Sequence, residues 1–78
     1  MKYSKEGFGT TTYDDGEEYR GHYIANKKDG PGILDYNDGR LYTGFYQNGE
    51  RHGFGKYKRA DGVCFRGLWK NDELVENV

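Results

Sequence analysis

YTGFYQNGERHGFGKYKRADG, residues 42–62, decides the fold. It opens on an aromatic-X-Gly triplet at 42–44, carries paired glycines at 53 and 55, and closes on Asp61-Gly62. Each feature recurs at one constant spacing. The triplet returns as YRG at 19–21 and FRG at 65–67, and the glycine pair as Gly7/Gly9 and Gly30/Gly32. The dipeptide returns as Asp15-Gly16 and Asp38-Gly39, and a large ring follows each triplet, at Tyr23, Tyr46 and Trp69. Four features in register three times define a repeat.

Each unit reads as a β-hairpin, because an Asp-Gly between β-rich runs is the strongest short-range signal for one. The hairpins span approximately 7–23, 30–46 and 53–69, within a single domain of residues 1–78, and leave 70–78 as an acidic C-terminal tail. Two registers are open. A two-residue loop centres Asp-Gly in a type I′ turn, whereas a three-residue loop puts the Gly in the left-handed region as a bulge. The three-residue loop is preferred, because it pairs Tyr36 with Arg40, Leu34 with Tyr42 and Gly32 with Gly44. One face then collects Tyr13, Tyr19, Tyr23, Leu34, Tyr36, Tyr42, Tyr46, Tyr57, Phe65 and Trp69 together with most strand glycines. The other face is mixed and mostly polar. Phe8, Pro31, Ile33, Phe45, Phe54 and Leu68 form a second, smaller apolar strip away from the Asp-Gly turns. Polar connections such as Gln47–His52 suit antiparallel neighbours. The expected fold is therefore all-β: an elongated, single-layer antiparallel sheet of three hairpins and about six short strands.

Composition agrees. The 78 residues are only 33% hydrophobic yet 17% aromatic. Disordered chains lack such rings, so this is a folded chain whose apolar contacts are amphipathic. Thirteen glycines against one proline must serve backbone geometry. The formal net charge of −1 gives no general attraction to nucleic acid. By segment the picture changes: residues 47–69 hold five basic against two acidic side chains, and 70–78 one against three. The lone Cys64 permits no internal disulfide and gives no metal-ligand spacing, which favours a reducing, cytoplasmic setting. No apolar run has the length of a membrane span.

The residues quoted above resemble the MORN repeat (membrane occupation and recognition nexus), roughly YxGxWxxGxxHGxGxxxxxDG. Tyr42, Gly44, Tyr46, Gly49, His52, Gly53, Gly55, Asp61 and Gly62 fall on that pattern. The first unit has Asn26 for the middle Gly and Asp29 for the His; the last fails after Trp69, with Asp72, Val75 and Glu76 at pattern positions. The resemblance implies an elongated stack of hairpins acting as a protein-binding scaffold in cytoskeletal, ciliary or membrane-junction assemblies. It also implies phosphoinositide binding as an alternative.

The first candidate site is the aromatic face: Tyr19, Tyr23, Tyr36, Tyr42, Tyr46, Phe65 and Trp69. Packed together, these rings only hold a one-layer sheet; left open, they form a groove for a partner protein, with Tyr23, Tyr46 and Trp69 as its anchors. The second is the pair of open sheet edges, strands 8–13 and 64–69, which could template a homodimer or end-to-end association unless Lys2, Lys5, Glu6 and the acidic tail blunt them. The third is a basic patch of Arg51, Lys56, Lys58, Arg59 and Arg66, suited to weak, salt-sensitive binding of phosphoinositide membranes or an acidic partner. No residues assemble a catalytic, metal or cofactor site, and an intrinsic enzyme is not expected. His22 and His52 are far apart in the repeat, and Cys64 has no neighbour to activate it.

Overall fold

A computed structural model describes residues 4–77. They form seven strands: β1 (Gly7–Thr12), β2 (Glu18–Ile24), β3 (Lys27–Asp35), β4 (Leu41–Gln47), β5 (Glu50–Lys58), β6 (Cys64–Lys70) and β7 (Glu73–Asn77). All pair antiparallel with their sequence neighbours in one open meander, β1 to β7. The sheet is elongated, measuring 44 × 24 × 16 Å.

The Asp-Gly loops have three residues. Leu34 pairs with Tyr42 and Gly32 with Gly44, and the Tyr36 amide donates to the Arg40 carbonyl at 3.2 Å. In the first and third loops the Gly16 and Gly62 amides donate back to Tyr13 and Arg59, each at 2.9 Å, with φ near +92° at both glycines. The second loop differs in also placing Asn37 at φ +63°.

The opposite connections are tighter than the sequence suggested. Two residues suffice: Ala25-Asn26, Asn48-Gly49 and Asn71-Asp72, all with positive φ. That is the signature of type I′ turns, whose twist matches that of the flanking strands. The expected polar loops therefore belong to longer strands. The last such turn also corrects the expectation for 70–78: it sends the chain back as β7, which pairs with β6 through Leu68↔Glu76 and Trp69↔Leu74. The sheet has seven strands rather than six, and its second open edge is β7, not 64–69. Lys2 lies outside the described residues.

The core is one face of this single layer. Tyr19, Tyr23, Leu34, Tyr42, Tyr46 and Trp69 are its buried residues, with Tyr19 and Tyr42 at 0% exposure. Paired strand glycines make the room. Tyr19 lies over Gly21 and Gly32, and Tyr42 over Gly44 and Gly55; a Cβ added at Gly21 would stand 2.5 Å from the Tyr19 hydroxyl, and one at Gly44 2.6 Å from that of Tyr42. Each hydroxyl then reaches a backbone carbonyl, Tyr19 donating to His22 and Tyr42 to Phe45, both at 3.0 Å. The rings meet edge to face in an unbroken series, Tyr23–Tyr19–Tyr46–Tyr42–Trp69, with centroids 5.2–5.4 Å apart. Such pairs contribute about 0.5–1.5 kcal/mol each beyond area burial.

Gly32→Ala should therefore destabilise by about 2–3 kcal/mol, the cost of overpacking a filled core. Gly62→Asn has room but must hold φ at +92°, so its smaller cost, about 1 kcal/mol, is backbone strain rather than overpacking. Urea unfolding followed by Trp69 fluorescence measures both.

Candidate functional site: an apolar row opposite the ring core

The two faces differ in what they leave to solvent. On the ring face a series of cations closes the surface. Lys5 Nζ stands 5.2 Å from the Tyr23 ring centre. Lys28 Nζ lies 5.6, 5.3 and 5.4 Å from those of Tyr13, Tyr19 and Tyr46. The Arg51 guanidinium sits 4.6 Å from Trp69 and 5.7 Å from Tyr42. Lys5, Lys28 and Arg51 keep the period of the repeat, and each comes well before the ring it covers, Tyr23, Tyr46 or Trp69. The repeat thus supplies the cap as well as the core. At the next position, Leu74 takes the cation's place and packs on the cluster. Burial lowers the pKa of Lys28, as expected for an ammonium drawn out of water onto ring faces.

This face is therefore not an open groove. Tyr23, Tyr46 and Trp69, expected as anchors for a partner, are buried at 5%, 4% and 7% exposure, and Tyr19 and Tyr42 have no surface to offer. Tyr36 is half-buried beneath Arg40, and Phe65 is exposed at the fringe. The hydroxyls show how fully the rings are committed. The Tyr23 hydroxyl meets Thr11 Oγ1. The residue one repeat on from Thr11 is Leu34, and the Tyr46 hydroxyl is buried with no partner among the described residues.

The basic patch also divides. Arg51 belongs to the ring face, where its Nε pairs with the Asp72 carboxylate at 3.3 Å and its terminal amine donates to the Asp72 carbonyl at 2.7 Å. Arg59 pairs with Asp61 inside its own turn. Lys56, Lys58 and Arg66 remain together on the opposite face, exposed. Lys56 stands directly opposite Arg66 in the β5–β6 register, and among the described residues none of the three has a carboxylate partner within salt-bridge distance.

That opposite face carries the apolar strip, and the register turns it into a row. Phe8 pairs with His22, Pro31 with Phe45, and Phe54 with Leu68. Bulges after Gly21 and Gly44 join the three pairs, bringing His22 beside Gly30 and Phe45 beside Gly53. The row thus crosses β1 to β6 and meets Glu76 on β7. It too is written by the repeat, at 8/31/54 and 22/45/68. Phe8 is 71% exposed and Phe54 50%, with Ile33, Phe45 and Leu68 close behind. Along the row runs an open depression of about 600 Å³, walled by Phe8, Pro31, Ile33, Phe45 and Phe54, flanked by Arg20 and Lys56, and floored by Gly21, Gly32 and Gly44. Apolar side chains gathered in this way mark interaction surfaces more than scattered ones do.

Comparison with protein families matches the MORN repeat at residues 3–18, 19–39 and 42–64, most of the chain. The protein belongs to the MORN-repeat family. Comparison with curated proteins gives no match. MORN repeats are modules of protein and membrane interaction, and the family is non-catalytic. In this MORN chain the pattern residues Tyr19, Gly21, Tyr42, Gly44 and Gly55 build the core, whereas the exposed apolar row occupies positions that the pattern leaves unspecified. The signal for the capping cations lay in their period, Lys5, Lys28 and Arg51, rather than in any local motif.

Two hydroxyl deletions separate these roles. Tyr46→Phe removes a buried group without a partner and should be neutral or stabilise by up to about 1 kcal/mol, whereas Tyr42→Phe loses a made hydrogen bond and should cost about 1 kcal/mol. Alkali should unfold the protein. Burial pushes Tyr19 and Tyr42 up to about 12, from the ordinary value of 10.0. A folded-state pKa above the unfolded value means the stabilisation is complete below about pH 10 and is lost as pH rises towards 12. Tyrosinate absorbance should rise cooperatively with the loss of Trp69 burial in that window.

Proposed function

We propose that the chain is a non-enzymatic adaptor that binds a partner protein on the apolar row of Phe8, Pro31, Phe45, Phe54 and Leu68. The observation that carries this reading is the asymmetry of the two faces. One is consumed by its own rings and cations; the other leaves apolar side chains of five strands aligned and exposed. The ring face holds the row rigid, so little conformational entropy is lost on docking. Such an adaptor would work in the cytoplasm, within a cytoskeletal, ciliary or membrane-associated assembly.

A second reading is favoured by the exposed basic cluster Lys56, Lys58 and Arg66: a phosphoinositide-binding patch, worth on the order of 1 kcal/mol per cation near an anionic surface. Three cations without a lipid anchor would hold a membrane only weakly. A self-associating structural role draws on β1, whose GFGTTT edge carries no charge, whereas β7 presents Glu73 and Glu76.

Phe45→Ser combined with Phe54→Ser should abolish crosslinking of partner proteins from native extract while leaving the far-UV strand signal intact. Partners retained by that variant would overturn the assignment of the face. Absence of sedimentation with phosphoinositide vesicles at low salt would remove the second reading.

A further inference from the structure

The row's dimensions and its charged flank together select the kind of partner, on the reading that the row is the docking surface. Neighbouring strands lie about 4.8 Å apart, so the six strands from Phe8 to Leu68 span about 24 Å. The row runs across the strands with one position per strand, apolar on β1 and on β3 to β6, and held by His22 on β2. A helix laid along it advances about 5.4 Å per turn, close to one turn per strand. An extended segment repeats on one side every two residues, at about 6.6 Å, and falls out of step within two strands. The apolar band is narrow, with Ile33 widening it beside Pro31 on β3. Beside it runs a second row, Arg20–Ile33–Thr43–Lys56–Arg66, fixed by the pairings Arg20↔Ile33, Ile33↔Thr43, Thr43↔Lys56 and Lys56↔Arg66.

The charges on this second row are unequally committed. Arg20 is paired with Glu18 at 3.0 Å. Lys56 and Arg66 face each other, with Lys58 two residues along, and have no carboxylate partner within salt-bridge distance among the described residues. Like charges directly opposite in a sheet are destabilising, and an anionic partner would relieve that repulsion while fixing register.

We propose that the row receives an amphipathic α-helix of about four turns, its apolar stripe on Phe8, Pro31, Phe45, Phe54 and Leu68. Its acidic flank lies over Lys56, Lys58 and Arg66, so the helix carries its carboxylates towards the β5–β6 end.

The test is selection from a phage-displayed library of random peptides of about 18 residues, long enough to cover the row as a helix. The baits are the wild-type protein, Phe45→Ser/Phe54→Ser and Lys56→Glu/Arg66→Glu. Trp69 emission confirms that each bait is folded. Enriched peptides should show apolar residues at i, i+3 or i+4 and i+7, with Asp or Glu on one flank, and should gain helical circular dichroism on binding. Each double variant should weaken them by at least about tenfold, and the charge-reversed bait should prefer Lys-rich stripes instead. Peptides that depend on Phe45 and Phe54 but lack helical spacing or acidic bias would overturn the helix and leave the docking face standing. Peptides indifferent to Phe45 and Phe54 would overturn the face itself. If wild type enriches nothing over the variants while phosphatidylserine–phosphoinositide vesicles bind it and not Lys56→Glu/Arg66→Glu, the cations serve a membrane and the proposal fails.

Discussion

The close seat of Tyr19 and Tyr42 over paired glycines is the contact on which this molecule depends. A one-layer sheet has no opposing layer against which to bury side chains, and here it does not need one. Gly21 with Gly32, and Gly44 with Gly55, let a ring settle onto backbone, where its hydroxyl satisfies a carbonyl of the same strand at 3.0 Å. Once two rings lie flat in this way, Tyr23, Tyr46 and Trp69 meet them edge to face and the core becomes continuous across repeats. Lys5, Lys28 and Arg51 then supply the missing second layer, with their charged groups held over the ring faces.

The division of labour between the faces follows. Residues committed to the repeat's backbone geometry, the rings and glycines, are spent internally. Positions 8, 31, 54 and 22, 45, 68 point the other way, and no packing demand within the sheet fixes their identity. They are free to match a partner, which is why a MORN chain can share its fold with relatives yet have a surface of its own.

Much of the fold was legible because its cause is local. Asp-Gly at a fixed period sets the hairpins, and the three-residue register follows from requiring the rings and glycines to share a face. The tight turns were harder to see. Asn48-Gly49 carries the usual type I′ signal, but Ala25-Asn26 and Asn71-Asp72 do not, and only the repeat makes them equivalent. Strand β7 was hidden because the pattern breaks at Asp72, Val75 and Glu76, although Leu74 still fills the cluster. The sequence leaves the rings at 23, 46 and 69 readable as core or as open anchors, for a non-local reason. The cations that cover them, at 5, 28 and 51, come from well upstream in the chain, and no short motif connects the two. The apolar strip is visible in the sequence; its standing as the exposed surface depends on the closure of the ring face.

The central claim is that the repeat's rings are core and its phenylalanine row is surface. Aromatic NMR in the presence of a soluble paramagnetic agent tests it directly, since broadening reports the approach of solvent to each ring. The account predicts strong broadening of Phe8, Phe45 and Phe54, with Tyr19, Tyr23, Tyr42, Tyr46 and Trp69 spared. Equal broadening of the tyrosines and phenylalanines would contradict it.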